Sequence, residues 1–390
     1  MKKGLLFVFL FVSLVGFGQC PSRLTSQSQI DNFSVNYPNC TSINKLDIEG
    51  EDIVNLDGLS QLTYIRELFV YYTSLLNFNG LDNVDEMNFF RIEHNSELQS
   101  FSGLSSLISI GANPNFLRGF KIENNNNLTS FQGLESLNTV FYYFNILEND
   151  SLQNLDGLTG LTTIYGDLNI IDTKLVNLNG LNNLNYVSQT ITIRNNHLVN
   201  LSGLEGLTEI GEYLYIESNP FLLNLNGLQY LTHVESFVGI GGNYSLYSID
   251  GLNLMDPVHF SIIGNPNLSV CNINPVCEAI ADPTQFGVFI SNNFIGCNSV
   301  PEVEAQCQIT ITEADFLKNL SIFPNPVSSI LNIETSKTIS FEKAKVYSTL
   351  GKLILETSET QINLETLSAG IYFVEVVTDK GSVTKKIVKE

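Results

Sequence analysis

The sequence contains no tryptophan, three methionines and four histidines in 390 residues, and only 15% of its residues are charged. Basic residues are the scarcer charged class, because 19 Lys and Arg stand against 40 Asp and Glu, for a formal charge of −21. Such an acidic surface repels polyanions and anionic membranes, so we expect no nucleic-acid partner. Hydrophobic residues still make up 43% of the chain, which predicts a folded core rather than disorder.

Long apolar runs are missing beyond the N-terminus, so we expect no transmembrane helix in the mature chain. The exception follows the basic pair Lys2-Lys3, where residues 4–17 are almost wholly apolar and small residues stand just before Gln19. This order of features predicts a secretory signal peptide over residues 1–18. A membrane anchor and a lipoprotein signal are the alternatives.

Cysteine is absent from the middle of the chain, and the six cysteines form two groups near its ends. An even number of cysteines in an exported chain predicts disulfides. Cys20 and Cys40 would close an N-terminal cap over residues 19–44. The other four would staple a C-terminal cap over residues 271–310, and of their three possible pairings we favour Cys271–Cys297 with Cys277–Cys307. A zinc site is the alternative.

A Gly-Leu pair recurs nine times at intervals of 22 to 30 residues. The surrounding pattern is L-x-G-L-x-x-L-x-x-I followed by L-x-I-x-x-N-x-x-L. A period of this length predicts a solenoid, which we place over residues 45–270 and in which each turn buries its apolar side against its neighbours. We expect each glycine to mark a tight turn or a close backbone approach. The glycines are Gly58, Gly80, Gly103, Gly133, Gly157, Gly180, Gly203, Gly227 and Gly251.

The L-x-I element of each copy, such as Leu168-Asn169-Ile170, predicts a short strand whose flanking side chains point inward while the middle one points outward. Stacked copies then form a parallel sheet. An asparagine follows three residues after most strands, with Thr73 and Thr173 as exceptions. We expect this column to point inward and to satisfy backbone groups of neighbouring turns. Its members are Asn95, Asn125, Asn149, Asn196, Asn219, Asn243 and Asn265.

An acidic residue precedes the repeat glycine in three copies, at Asp57, Asp156 and Asp250. The other copies carry Asn, Ser or Gln there, so we interpret the column as turn-capping. Calcium binding at these aspartates is the alternative.

The repeat copies resemble the leucine-rich-repeat family, in its bacterial form close to receptor L-domains, over about residues 45–310. Residues 30–40 resemble the N-terminal cap of that family. The resemblance implies a mainly β protein with a right-handed solenoid of short parallel strands. On the outer side of each turn we expect a second strand or a 3₁₀ turn rather than a full helix. The family also implies binding of a protein or a glycan.

The composition changes near residue 318. Residues 19–317 hold 8 basic and 32 acidic side chains, whereas residues 318–390 hold 9 basic and 8 acidic ones. Short β-rich runs separated by turns replace the repeat. After a linker over residues 311–317, this pattern predicts a small antiparallel, immunoglobulin-like β-sandwich.

Three motifs follow one another in this tail: Pro324-Asn325-Pro326, Leu350-Gly351-Lys352 and Gly370-Ile371-Tyr372. Residues 318–390 thereby resemble the type A C-terminal sorting domain of the type IX (Por) secretion system of Bacteroidetes. Ser348-Thr349 stand before the Leu350-Gly351 turn, where members of this family more usually have an acidic residue or Asn. The resemblance implies the type IX machinery as partner, passage across the outer membrane, and a secreted or cell-surface product from which the tail is usually removed. An ordinary adhesion sandwich is the alternative.

Catalytic patterns are missing: we find no nucleophile elbow, zinc-protease helix or phosphate loop. His94 and His197 follow strands four turns apart, which places them ~19 Å from each other and excludes a shared metal or catalytic centre. We therefore expect no catalytic residue, no metal and no cofactor, and a protein that is not an enzyme.

Two departures from the repeat indicate a ligand-binding patch. Residues 111–119 form an insertion, and the next copy carries Phe141-Tyr142-Tyr143 where other copies have polar or Gly-rich turns. Outward basic residues of neighbouring strands lie beside them. The predicted patch consists of Arg91, Phe116, Arg118, Lys121, Tyr142 and Tyr143. The alternative is that the aromatic side chains only pack the insertion down.

These features together predict a secreted or cell-surface, non-enzymatic recognition or adhesion protein that binds a protein or glycan through the face of its solenoid. A glycan-binding accessory protein for polysaccharide use is one alternative. A structural component of a surface layer or biofilm is another.

Overall fold

A computed structural model describes residues 20–111, 119–307, 320–335, 340–349, 351–378 and 381–390. The chain divides into two compact units, Met1–Val300 and Pro301–Glu390. The predicted signal peptide over residues 1–18 and the predicted linker over residues 311–317 lie outside the described residues. Within those ranges, no helix is both long enough and apolar enough to cross a membrane.

The first unit is a solenoid of parallel strands, in which twelve described strands hydrogen-bond side by side in a main row. A second row of two-residue strands accompanies the earlier turns but not the last ones, and two longer strands, Thr139–Leu147 and Thr163–Ile171, belong to both rows. The predicted second strand is therefore present. The strands are β1 (Arg23–Leu24), β2 (Ser42–Ile43), β3 (Leu46–Glu49), β4 (Tyr64–Ile65), β5 (Glu67–Tyr71), β6 (Glu86–Met87), β7 (Phe89–Glu93), β8 (Ser109–Ile110), β9 (Phe120–Glu123), β10 (Thr139–Leu147), β11 (Thr163–Ile171), β12 (Tyr186–Val187), β13 (Ile191–Arg194), β14 (Glu209–Ile210), β15 (Tyr213–Glu217), β16 (His233–Val234), β17 (Phe237–Gly241), β18 (His259–Ile263) and β19 (Val288–Ser291).

Helices are short and sit mainly in the caps. The N-terminal cap contains α1 (Gln27–Asp31) and α2 (Phe33–Asn36), and the C-terminal region contains α3 (Asn274–Ala281) and α4 (Val300–Cys307). One 3₁₀ turn, Asp57–Leu59, lies in the first repeat. The main sheet continues through both caps, since β1 and β19 are its terminal strands.

The core is built from the leucines and isoleucines of the repeat. In one turn, Leu178, Leu181 and Leu184 are fully buried, and so are the flanking strand residues Ile191 and Ile193. Burying such a side chain stabilises the fold by roughly 1.5–3 kcal/mol, but only when a neighbouring turn covers it. Six buried phenylalanines stack through the early turns of this core, with ring centroids 4.9 to 6.4 Å apart. They are Phe78, Phe90, Phe101, Phe120, Phe131 and Phe144.

The repeat glycine is required for both of the reasons that the sequence suggests. Gly180 has a φ of +112°, a conformation that L side chains rarely adopt. A Cβ atom at this position would also lie 2.0 Å from the carbonyl oxygen of Leu155 in the preceding turn. Gly58 and Gly251 share only the close approach, and the remaining repeat glycines share both features. The turns therefore approach each other too closely for any side chain at this position.

The turn-capping side chain lies two residues earlier than we predicted. The backbone N–H of Asp57 donates to Asn55 Oδ1 at 3.2 Å, and that of Asp156 donates to Asn154 Oδ1 at 3.1 Å. The aspartates therefore supply the capped N–H group instead of the capping oxygen. This arrangement is an Asx-type turn, in which the short side chain of one residue accepts a hydrogen bond from the backbone N–H two residues further along the chain.

The asparagine column forms a ladder inside the core, as predicted. Asn196 is fully buried, and its Nδ2 donates to the carbonyl oxygens of Ile170 and Arg194 at 2.9 and 3.1 Å. Its Oδ1 accepts from the backbone N–H and the hydroxyl of Thr173 in the preceding turn. Its own backbone N–H donates to Asn219 Oδ1 at 3.0 Å, which ties it to the next member of the column. Backbone groups that leave the sheet at the bend are thus satisfied without water.

The ladder ends in the C-terminal cap on a residue that the repeat pattern did not reveal. Asn293 Oδ1 accepts from the backbone N–H of Asn265, and its Nδ2 donates to the carbonyl oxygens of Ile262 and Cys297. Cys297 is bonded to Cys271, which is one of the two pairings that we favoured. Cys20 is bonded to Cys40 in the other cap, and all six cysteines, which lie within the described ranges, are disulfide-bonded.

The second unit consists of two antiparallel sheets around one small core. One sheet has the order β20-β21-β24 and the other β23-β22-β25-β26. Buried side chains from both, including Leu331, Val346 and Val374, form the core. The strands are β20 (Leu320–Phe323), β21 (Ile330–Thr335), β22 (Phe341–Ser348), β23 (Leu353–Thr357), β24 (Gln361–Asn363), β25 (Gly370–Thr378) and β26 (Gly381–Lys389).

We predict that Asn196→Ala destabilises the solenoid by about 3 kcal/mol, because it leaves the buried groups of Thr173, Ile170 and Arg194 without partners. Urea unfolding followed by circular dichroism measures this loss. The matched control is Asn183→Ala, since Asn183 is exposed and donates one bond to the carbonyl of Thr159. Its effect should stay within about 0.5 kcal/mol. Equal losses of unfolding free energy in both variants would show that a ladder asparagine stabilises the fold no more than an exposed one.

Candidate functional site

The outward side chains of the main row form a column that does not repeat. The register places one such residue from each strand beside the next, whereas the inward positions are always apolar. We call this surface the sheet face. In chain order from β3, its central column reads Asp47, Phe69, Arg91, Lys121, Asn145, Asn169, Thr192, Tyr215, Gly239, Ser261 and Phe289.

Two basic residues of the predicted patch lie side by side on the sheet face, since Arg91 of β7 pairs in register with Lys121 of β9. Both are neutralised by carboxylates of the same strands. Arg91 Nε lies 2.7 Å and Lys121 Nζ 2.8 Å from Glu93 Oε1, and Lys121 also pairs with Glu123. Burial alone would raise the pKa of Glu93, but its bonds to the two cations outweigh that and hold the pKa below its usual value. The patch is therefore an ion-pair cluster rather than a free basic surface.

Aromatic side chains surround this cluster. The ring of Phe69 is buried, meets Phe89 edge-on at 5.1 Å and lies 4.8 Å below Lys45 Nζ. Tyr143 belongs to the predicted patch and lies on β10. Its ring meets the ring of Phe89, on β7, edge-on at a centroid distance of 6.5 Å. Burial raises the pKa of Tyr71, beside Phe69, to about 12, so its hydroxyl stays protonated.

The remaining residues of the predicted patch are placed differently. Tyr142 lies on β10 with a φ of +68° and is half-buried, and its carbonyl packs against the backbone of Gly166. Phe116 and Arg118 lie outside the described residues. The structure therefore brings together Arg91, Lys121 and Tyr143, and the role of this group in binding stays a prediction.

A second site, which the sequence reasoning missed, lies on the sheet face of the late turns. Tyr213, Tyr215, Phe237, His259 and Phe286 line an open trough of about 540 Å³. A smaller hollow of about 170 Å³ continues it between β15, β17 and β18, and shares two of the rings. We call the two together the aromatic trough. Its remaining lining residues are Glu217, Glu235, Ser236, Gly239, Ile240, Gly241, Val258, Ser261 and Ile263.

Glycine shapes the aromatic trough. Gly239 of β17 stands in the central column beside Tyr215, and a Cβ atom there would lie 2.8 Å from Tyr215 Cδ1 and 3.1 Å from Phe237 Cε1. Both rings therefore lean over the bare strand, with centroids 5.7 Å apart. The signal in the sequence was Phe237-Val238-Gly239-Ile240-Gly241, a strand with the usual inward residues but with glycine in place of outward side chains.

The four histidines do not converge. His94 stacks on Tyr72, and His197 packs edge-on against Phe221. His233 contacts Glu235, and His259 Nδ1 accepts from the backbone N–H of Gly287 at 2.7 Å. Across the part of the chain that the structure describes, no group of three or more His, Cys, Asp and Glu is placed to hold a metal ion.

The tail motifs occupy structural positions in the second unit. The peptide bonds before Pro324 and Pro326 are both cis, and the Asn325 side chain between them bonds the backbone of Lys386 and Val388 in β26. Gly351 has a φ of +76° in the turn between β22 and β23. Gly370 begins β25, and the Tyr372 hydroxyl donates to the carbonyl of Ser368.

Comparison with known proteins assigns this unit. The profile of the secretion system C-terminal sorting domain family matches residues 321–390, which contain the motifs just described. No curated protein matches the chain at a significant level. The chain thus ends in a type IX sorting domain, which implies interaction with that secretion machinery and export to the cell surface or the medium.

The ion-pair cluster around Glu93 predicts that the free energy of unfolding depends on pH. Because the folded-state pKa of Glu93 is lowered, its ionisation stabilises the fold above the unfolded-state pKa, and this stabilisation is lost as the pH falls through the folded-state value. We therefore predict that Glu93→Gln costs about 1 kcal/mol near neutral pH. In acid, below both pKa values, the difference from wild type should disappear.

Urea unfolding at neutral and at acidic pH measures the effect, with Glu209→Gln at an exposed position as the matched control. The control should differ little from wild type at either pH. A cost of Glu93→Gln that is the same at both pH values would contradict the assignment.

Proposed function

We propose that this protein is a non-enzymatic recognition or adhesion protein that acts outside the cell and binds its ligand through the sheet face. A leucine-rich-repeat identity of the solenoid belongs to the same proposal, and rests on the repeat pattern and the short parallel strands. The C-terminal sorting domain supports it, because a sorting domain delivers its passenger to the surface or the medium.

One observation carries the proposal: side chains vary freely on the sheet face while the frame beneath them is constant. Inward positions of successive strands, such as Ile170, Ile193 and Ile216, are fully buried and alike. Outward neighbours in the same register, Asn169, Thr192 and Tyr215, differ in size and polarity. A rigid extended surface with varied side chains is the arrangement by which solenoids bind partners.

Direct screening tests the recognition function. The full chain is applied to a glycan array and to an array of extracellular proteins, and hits are measured again with variants. Asn169→Arg and Thr192→Arg place bulk on the sheet face and should weaken binding at least tenfold. Asn183→Arg adds the same charge at an exposed position outside the sheet face and should not.

Two results would count against recognition through this face. One is the absence of any hit on either array. The other is binding that Asn183→Arg weakens as much as the two sheet-face variants do.

Export generates a separate prediction. Deleting residues 321–390 should leave the solenoid folded but retained in the periplasm, because the two units have separate cores. Cell fractionation and surface proteolysis in a host with type IX secretion measure this. The full-length Asn183→Ala variant, which keeps the tail, should reach the exterior. Normal surface display of the truncated chain would refute the sorting role.

A further inference from the structure

The aromatic trough differs from the rest of the sheet face because two of its rings, Tyr215 and Phe237, stand over the bare backbone of Gly239. Tyr213 is 37% exposed, and Tyr215, Phe237 and Phe286 are each half-buried, so part of each ring is packed while part of it lines the trough. Tyr213 and Tyr215 lie 6.1 Å apart, and Tyr215 and Phe237 5.7 Å apart. Rings held in this way lose little conformational entropy when a ligand stacks on them.

Hydrogen-bonding groups of both kinds line the same trough. The carboxylates of Glu217 and Glu235 accept, and the hydroxyls of Ser236 and Ser261 both donate and accept. Because His259 Nδ1 accepts from Gly287, the neutral ring carries its hydrogen on Nε2 and presents a donor. Tyr215 adds another donor, since burial raises the pKa of its hydroxyl and keeps it protonated.

The size and position of the trough argue against a protein partner as its occupant. A volume of about 540 Å³ falls in the range of small-molecule sites. A stable protein interface uses about 20–30 residues on each side. Strand addition by a peptide is also excluded at this point, because β15, β17 and β18 already pair with neighbours on both sides.

The chemistry of the trough matches one class of small ligand. Sugar rings offer polarised C–H groups, which pack on the electron-rich face of an aromatic ring, and hydroxyls that both donate and accept. The surrounding region holds 32 acidic and 8 basic side chains over residues 19–317, so a polyanionic glycan would be repelled. We infer that the aromatic trough binds a neutral oligosaccharide or the exposed chain of a neutral polysaccharide, with Tyr215 and Phe237 as its stacking platform. This inference deepens the proposed recognition function and rests on it.

Titration calorimetry with the full chain tests the inference. The probes are cellohexaose, laminarihexaose, xylohexaose and mannohexaose, with polygalacturonate as an acidic comparison. We expect at least one neutral hexasaccharide to bind and the acidic polymer not to bind. Tyr215→Ala should weaken that binding by about tenfold or more, because it removes the central ring.

Two further variants make the test specific. Gly239→Val removes no group that faces the ligand, but its side chain would displace Tyr215 and fill the trough, so it should also weaken binding about tenfold or more. Tyr230→Ala is the matched control, because Tyr230 is 60% exposed and lies outside the trough. Thermal unfolding shows whether each variant is folded. If Gly239→Val does not fold, the result for Tyr215→Ala alone decides whether the trough binds the oligosaccharide.

The possible outcomes separate this inference from the proposed function. Binding of a neutral hexasaccharide that is lost in Tyr215→Ala and kept in Tyr230→Ala supports both. Failure of every neutral probe, or binding that folded Tyr215→Ala retains, overturns the glycan inference. If sheet-face variants still abolish binding to a protein on the array, the recognition function survives that failure. If neither array gives a hit and every neutral hexasaccharide also fails to bind, both fall.

Discussion

Pairing between the backbones of adjacent turns, completed inside the core by asparagine, is the constraint on which the solenoid depends. A chain that bends inward in every turn buries backbone groups that the sheet cannot pair, and each unpaired group costs about 1–3 kcal/mol. Asn196 and its equivalents satisfy these groups, and each also receives a hydrogen bond from the preceding turn. The ladder therefore fixes the register between adjacent turns and also satisfies the backbone groups that the bend leaves unpaired. At its end, Asn293 connects it to the disulfide-bonded segment around Cys297.

The parts of this fold that the sequence predicts are those where one stereochemical requirement recurs in every turn. Glycine recurs because the turns approach too closely for a Cβ atom, and asparagine recurs because the bend needs a side chain with both a donor and an acceptor. Asn293 escaped prediction because the leucine pattern around it has ended, although its bonds to Asn265 and to the carbonyl of Ile262 are equivalent to those of the other members. The capping residues were misplaced by two positions, since Asn55 and Asp57 are equally compatible with a turn in the sequence.

The candidate sites show a different limit. Alternation along a strand correctly places Arg91 and Lys121 outward and in register. The same alternation puts Glu93 and Glu123 on that face two residues further on, so the neutralising ion pairs were readable in the sequence as well. The aromatic trough was only partly readable. The glycines of Phe237-Val238-Gly239-Ile240-Gly241 mark a strand with bare outward positions, but the ring of Tyr215 reaches Gly239 from the neighbouring strand β15. Tyr215 and Gly239 lie in different repeats, so no local pattern connects them.

The aromatic trough forms where the outward positions of β17 are glycine and carry no side chain, while inward residues hold the backbone of this strand in place. Val238 and Ile240 are buried in the core and keep β17 in the sheet, so Gly239 and Gly241 can leave the outward positions bare without disturbing the pairing. Glycine in an isolated strand weakens it, but here the ladder and the inward residues on both sides supply the order that glycine lacks. Most of the stability of the solenoid thus comes from its inner side, and this is the physical reason why the side chains of the sheet face can vary from turn to turn.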